Sequence, residues 1–141
     1  MPCFFCDIQE QRDSQLITAN DFFVARFDDF PVAKGHCEIF PKEHIESVFD
    51  LPSEQQWAFF DIINKVKSIL AEKYQPDGFN IGINEGRAAG KTMDHLHLHV
   101  IPRYWGDIAS PRGGVRNIIP TKGDYKKDIQ ARPDRIKYFN E

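Results

Sequence analysis

Hydrophobic and polar positions repeat with two different periods along this chain. Over residues 51–78, LPSEQQWAFFDIINKVKSILAEKYQPDG, Phe59, Ile62, Ile63, Val66, Ile69 and Leu70 recur at helical spacing. That predicts one long amphipathic helix with a single core-facing stripe. Ser53 is the expected N-cap, with Gln56 at capping-box spacing, and Pro76 and Gly78 end the helix. Elsewhere the period is two. DFFVARFDDFP (21–31) and GHCEIFPKEH (35–44) read as strands stopped by Pro31 and Pro41. GFNIGIN (78–84) and HLHLHVI (95–101) read as a strand and its return, joined through the EGRAAG turn and stopped by Pro102. Strand, strand, helix, strand, strand predicts an α+β domain: an antiparallel sheet with the main helix on one face. Beyond Pro102, five Pro and Gly residues between 111 and 123 predict a loop-rich tail. The expected division is a core over 1–105 and a basic extension over 106–141, packed on or near it.

Side chains alternate across a strand, so the faces can be assigned. Phe79, Ile81, Ile83, Cys37, Ile39, Leu96, Leu98 and Val100 fall on the face that takes the helix. The other face receives Asn80, Asn84, His36, Glu38, His95, His97 and His99, with Gly82 leaving room. Four histidines and two asparagines on one surface exceed what solvent exposure requires. They suggest a site, against the plainer reading of a wet polar face.

Composition narrows what that site can serve. The chain has 141 residues, enough for one domain with a substantial core. It is rich in Phe and 41% hydrophobic, which argues against disorder. No apolar run is long enough to span a membrane, and the N-terminus lacks a secretory pattern, which points to the cytoplasm. A net charge of −3 argues against a general nucleic-acid binder. The charge is uneven: residues 1–102 hold 9 Lys/Arg against 16 Asp/Glu, and residues 103–137 hold 9 against 4. The basic tail, with PRGGVR around Arg112 and Arg116, could face an anion or form an ordinary solvated loop. Three Cys do not make a disulfide framework, and the Cys3–Cys6 C-x-x-C reads as metal-binding or redox-active in a reducing compartment.

HLHLHVI, preceded by NEGRAAGKTMDH, GHCEIFPKEH and CFFCDI in their order, resembles the histidine triad (HIT) superfamily of nucleotide hydrolases and transferases. The likeness spans about residues 3–104, and the tail is similar to members near the dinucleoside polyphosphate hydrolases. The resemblance implies attack on a nucleotide α-phosphate by His97, through a nucleotidyl-histidine intermediate that water cleaves. It implies that His99 and Thr92 contact phosphate or leaving group, with His36 close by and Asn84 near the phosphate. Asp28 would hold ribose hydroxyls, and Phe5, Ile8 and Phe27 would line an apolar base pocket. Lys91 stands where the family has Gln; it would draw in polyphosphate or point to solvent.

A subset of the superfamily binds a structural zinc, which here implies Cys3, Cys6, His44 and His95 as ligands. His95 would then not touch phosphate. The substrate implied is a purine nucleotide or dinucleoside polyphosphate, with no organic cofactor, and the assembly implied is a homodimer. Three alternatives stay open: a nucleoside phosphoramidate hydrolase, a nucleotide-binding regulatory module with little turnover, and a metalloenzyme ligated by His95, His97 and His99.

Overall fold

A computed structural model describes residues 2–8 and 13–139. They fall into two compact units, 1–104 and 105–141, the second beginning at Trp105. The first unit carries a five-stranded antiparallel sheet and one long helix, an α+β fold. A short helix α1 (Phe4–Ile8) precedes strands β1 (Leu16–Ala19), β2 (Phe23–Phe27) and β3 (Cys37–Pro41). Helix α2 (Ser53–Tyr74) leads into β4 (Gly78–Ile83) and β5 (Leu98–Arg103). The strand order is β1-β2-β3-β5-β4. Strand β1 is absent from the sequence-based expectation, because its LITA segment is four residues long and lacks strict alternation.

Register explains the two faces. Phe27, Cys37, Val100 and Ile81 form one cross-strand row; Ala25, Ile39, Leu98 and Ile83 form the next. Both rows, apart from the exposed Ile81, meet Phe59, Ile62, Val66 and Leu70 of α2 in the main core. Between them, on the opposite face, lies a row of Arg26, Glu38, His99 and Gly82. Helix α1 covers part of that face, and Phe5 packs there with Val24 and Phe40 in a second cluster.

Several local expectations are corrected. Pro52, not Ser53, is the N-cap of α2, with no side-chain cap bond. Gln56 instead donates through Nε2 to the Leu51 carbonyl. The helix ends before Pro76, at Gln75, whose left-handed φ of 51° lets its N–H reach the Ala71 carbonyl. Pro102 does not stop β5: it lies within the strand, buried, opposite Phe79. His95 and His97 precede the β5 ladder rather than lying in it, though the alternation of faces holds through them. The second unit is not only loop. It holds short helical turns at Gly114–Ile118 and Ile136–Tyr138 and a helix α3 (Lys126–Gln130). Arg116 packs there over the Tyr125 ring and donates to the Gly123 and Lys122 carbonyls.

Candidate active site and metal centre

The three histidines at the head of β5 face three different partners, and each partner sets where the ring proton sits. His97 Nδ1 lies 2.9 Å from the His95 carbonyl oxygen. A carbonyl only accepts, so Nδ1 carries the proton and Nε2 keeps its lone pair. The buried Phe5 ring stacks on His97 at 5.0 Å between centroids. Phe5 therefore buttresses the imidazole instead of lining a base pocket.

His99 is set by a chain of two bonds. The Val32 N–H donates to His36 Nδ1 at 3.1 Å. His36 must then hold its proton on Nε2, which lies 3.0 Å from His99 Nδ1. His99 accepts there and carries its own proton on Nε2. Burial lowers the pKa of both rings, with neighbouring imidazoles adding to the effect at His99 and Asp28 opposing it at both. Both are thereby kept neutral near pH 7. Asp28 Oδ2 stands 3.5 Å from His36 Nε2 and 3.7 Å from His99 Nδ1. The Asp28 N–H donates to the His36 carbonyl, which brings the turn after β2 against the start of β3. That start needs Gly35. Its φ is +88°, and a Cβ there would come within 2.8 Å of the Tyr74 ring.

His97, His99, Asp28, Asn84 and Thr92 all line one cavity of about 380 Å³. A neutral imidazole with a free Nε2, beside an N–H donor, can attack an electrophilic phosphorus and hydrogen-bond to what leaves. The other expected substrate contacts are placed differently. Phe27 packs on the helix-covered face, edge-on to Tyr74 and under Lys73. Ile8 packs against the Phe5–Phe40 cluster and lines a separate hollow with Leu16 and Lys42. Lys91 neither reaches the cavity nor points to solvent: its Nζ donates to the Glu46 carbonyl, and the residue is buried.

The cavity's apolar walls are instead Phe4, Phe30 and Met93, with Asp29 and Glu38 among the remaining lining groups. Glu38 was assigned to this face by alternation. Arg26 and Asp29 carry no motif and become visible only through the register with β3 and the turn that follows β2.

A second cluster lies beneath. Cys3, Cys6, His44 and His95 offer one donor atom each, all within 4.8 Å of one another. His95 Nε2 donates to the Pro41 carbonyl at 2.8 Å, so Nδ1 presents its lone pair to Cys3 Sγ at 3.3 Å and Cys6 Sγ at 3.6 Å. His44 Nδ1 is 3.4 Å from Cys6 Sγ. A bond from the Leu96 N–H to the Ile45 carbonyl, 2.7 Å, draws the His44 loop beside His95. Two thiols and two imidazoles at this spacing fit a tetrahedral zinc, and the Pro41 carbonyl is the outer partner such an imidazole takes. His95, His97 and His99 do not converge on a common point, which removes the metalloenzyme alternative built on all three.

An antiparallel α+β sheet with a histidine cavity on its open face and a C-x-x-C tether beneath defines a histidine triad protein. The HIT domain model matches residues 9–106, and the chain belongs to the HIT family. An uncharacterised HIT-like protein of Methanocaldococcus jannaschii is 35% identical over 118 residues, 82% of this chain and 91% of that protein. A bis(5′-adenosyl)-triphosphatase of Dictyostelium discoideum is 30% identical over 92 residues, 65% of this chain and 62% of that enzyme. Among solved structures, a zinc-bound histidine triad protein from Mycobacterium smegmatis superposes with a TM-score of 0.68 at 34% identity, covering 77% of this chain and 79% of that one. A HIT-family protein from Bacillus subtilis gives 0.72 at 26% identity, covering 96% and 97%.

Proposed function

We propose that this chain cleaves nucleotides at the α-phosphate, acting on dinucleoside polyphosphates or related nucleoside monophosphate conjugates. The observation that carries the reading is the 2.9 Å contact from His97 Nδ1 to the His95 carbonyl, which leaves Nε2 free to attack. In the first step Nε2 bonds to the α-phosphorus while the bond to the leaving group breaks. His99 Nε2–H donates a hydrogen bond to the departing oxygen, which leaves as a phosphate anion and needs no proton. The nucleotidyl-imidazolium keeps its Nδ1 proton and positive charge, so it remains a good leaving group. Water then attacks phosphorus, the P–N bond breaks with its electron pair returning to His97 Nε2, and the water's proton is released to solvent. Thr92 and Asn84 would donate to phosphate oxygens and Asp28 would accept from ribose hydroxyls, a reading supported by their all lining the cavity. The relationship to a bis(5′-adenosyl)-triphosphatase supports the hydrolase class. A phosphoramidate substrate uses the same attack, with nitrogen departing as an amine that takes its proton from solvent.

The test is His97→Ala, assayed on Ap₃A, Ap₄A and an AMP–lysine amidate. Turnover should fall by at least about 10⁴-fold, a barrier increase of roughly 5 kcal/mol or more, while nucleotide binding persists. Near-native turnover would end the proposal, and a native enzyme that binds nucleotide without turning it over would favour the regulatory-module reading.

We further infer that Cys3, Cys6, His44 and His95 hold a structural zinc, supported by the fit of their donor atoms. Free thiols at Cys3 and Cys6 support a reducing, cytoplasmic setting. The family resemblance supports a homodimer, which sedimentation would measure.

A further inference from the structure

The cavity beside His97 is not apolar at its far end. The row Arg26–Glu38–His99 runs across the sheet, so Glu38 lies one strand from the histidine and Arg26 two. Arg26 is buried and saturated. It binds Asp13 at 2.5 Å, Glu38 Oε1 at 2.9 Å and Asp29 Oδ1 at 3.0 Å, under the Phe4 ring. One guanidinium thus faces three carboxylates, and Asp28 adds a fourth nearby. Glu38 is only 4% exposed, yet it lines the cavity, and its Oε1 is engaged by Arg26. Among the described residues no bond is recorded to the second oxygen, and an ionised carboxylate lining the cavity offers an acceptor there.

Charge then fixes how a nucleotide lies here. A phosphate cannot rest against Asp29 and Glu38, so it takes the histidine end. The base goes to the carboxylate end, between Phe4, Phe30 and Met93. The volume, about 380 Å³, is within the range of small-molecule sites. Above about pH 7, where Glu38 is ionised, what the base must bring is hydrogen-bond donors, because a carboxylate only accepts. Adenine offers one amino group with the N1 acceptor beside it, which an ionised carboxylate repels. Cytosine pairs its amino group with N3 in the same way, and uracil flanks its single N–H with two carbonyls. Guanine alone presents adjacent donors, N1–H and N2–H, with no acceptor between them.

We propose that Glu38, held by Arg26, makes this site select guanine nucleotides over adenine nucleotides. The proposal rests on the reading of His97 as the phosphate-binding end. Guanosine is thereby the favoured nucleoside at the reacting phosphate, although the general fold tolerates either purine.

The experiment compares guanosine, adenosine and inosine 5′-phosphoramidates, which share one leaving group, above about pH 8, where Glu38 is ionised. The native chain should show kcat/KM for guanosine at least about tenfold above adenosine, with inosine between them because it lacks N2–H. Glu38→Gln should bring guanosine and adenosine within about twofold of each other, since an amide in that place no longer offers a charged acceptor. Equal rates for the two purines in the native chain would overturn the proposal, as would a preference unchanged in Glu38→Gln. If none of the three is turned over, the hydrolase reading fails separately. Calorimetry with GMP and AMP then decides base selection: tighter GMP binding supports it, and equal or tighter AMP binding overturns it.

Discussion

Two clusters on this sheet carry the donor types that metals take, and the difference between them is where the protons sit. Cys3, Cys6, His44 and His95 converge within 4.8 Å, and so do Asp28, His36 and His99. In the first, the Pro41 carbonyl takes the Nε2 proton of His95, and the lone pair on Nδ1 turns to the thiols. In the second, the Val32 N–H occupies His36 Nδ1, so the proton on Nε2 points into the cluster. A cation there would meet an N–H. The spacing is the same; one backbone group each turns a lone pair into the first cluster and an N–H into the second.

The largest effect should come from emptying the first cluster. Cys6→Ala, or chelation of the native chain, should remove one zinc per chain and lower Tm by about 10 °C or more, because structural zinc binding is folding free energy. Mass spectrometry under native conditions and a melting curve check both. Zinc retained at full stoichiometry in Cys3→Ala and Cys6→Ala alike would show the metal to lie elsewhere, and the comparison between the clusters would collapse.

His36→Ala breaks the second cluster instead. It should leave zinc content unchanged and lower kcat by about 10²-fold, since His99 loses the donor that fixes its tautomer. His36→Gln should recover part of this, because its amide can accept from the Val32 N–H or donate to His99. A positioning role predicts that recovery together with an altered pH profile of kcat. A merely structural role predicts neither, only a lower Tm.

Much of this division was legible before any coordinates. Alternation alone placed His36, His97, His99 and Asn84 on one face and Cys37, Ile39, Leu98 and Val100 on the other. The C-x-x-C, the P-K-x-H segment and the first triad histidine, read through the family resemblance, named the four residues that converge in the first cluster. What periodicity could not supply was anything set by a single backbone partner or by packing across elements. The tautomers depend on the Val32 N–H and on the Pro41 and His95 carbonyls. Lys91 is spent on the Glu46 carbonyl, a bond made 45 residues away in sequence. The base-pocket residues failed for a related reason: Phe5, Ile8 and Phe27 were carried over by resemblance, and the packing of α1 and the pleat of β2 sent each elsewhere. Nothing in DFFVARFDDFP marks Arg26 or Asp29, and only the β2–β3 register buries the first.

The charged end of the cavity should also leave a mark on stability. Burial pushes the Glu38 carboxyl up to about 7, against the lowering pull of Arg26. A raised acid contributes stability that is full below its unfolded pKa, near 4.5, and lost as pH rises through the folded value. Asp13 runs the other way. Burial would raise it, but Arg26 and the Gln15 N–H hold it below its ordinary 3.8, so its contribution is lost only in acid. Between pH 5 and 8, therefore, the native chain should lose stability relative to Glu38→Gln, on the order of 2 kcal/mol. Taking the difference between two pH values cancels the constant cost of the substitution. Urea melts at both would show it, and parallel profiles would mean that Glu38 is ionised throughout.

The smallest effect separates the sheet's two faces. Phe27 and Phe4 are both aromatic, but only Phe4 lines the cavity. Phe27→Leu should cost about 1 kcal/mol of stability through lost packing against Tyr74 and Lys73, and leave kcat/KM within about twofold. Phe4→Leu should raise KM several-fold with little change in Tm, because its ring is partly exposed and covers the Arg26 guanidinium at 5.3 Å. The reverse pattern, with KM following Phe27, would place the base on the helix-covered face. It would then have to pass through the main core of Ile39, Leu98 and Val100, which α2 seals against any ligand.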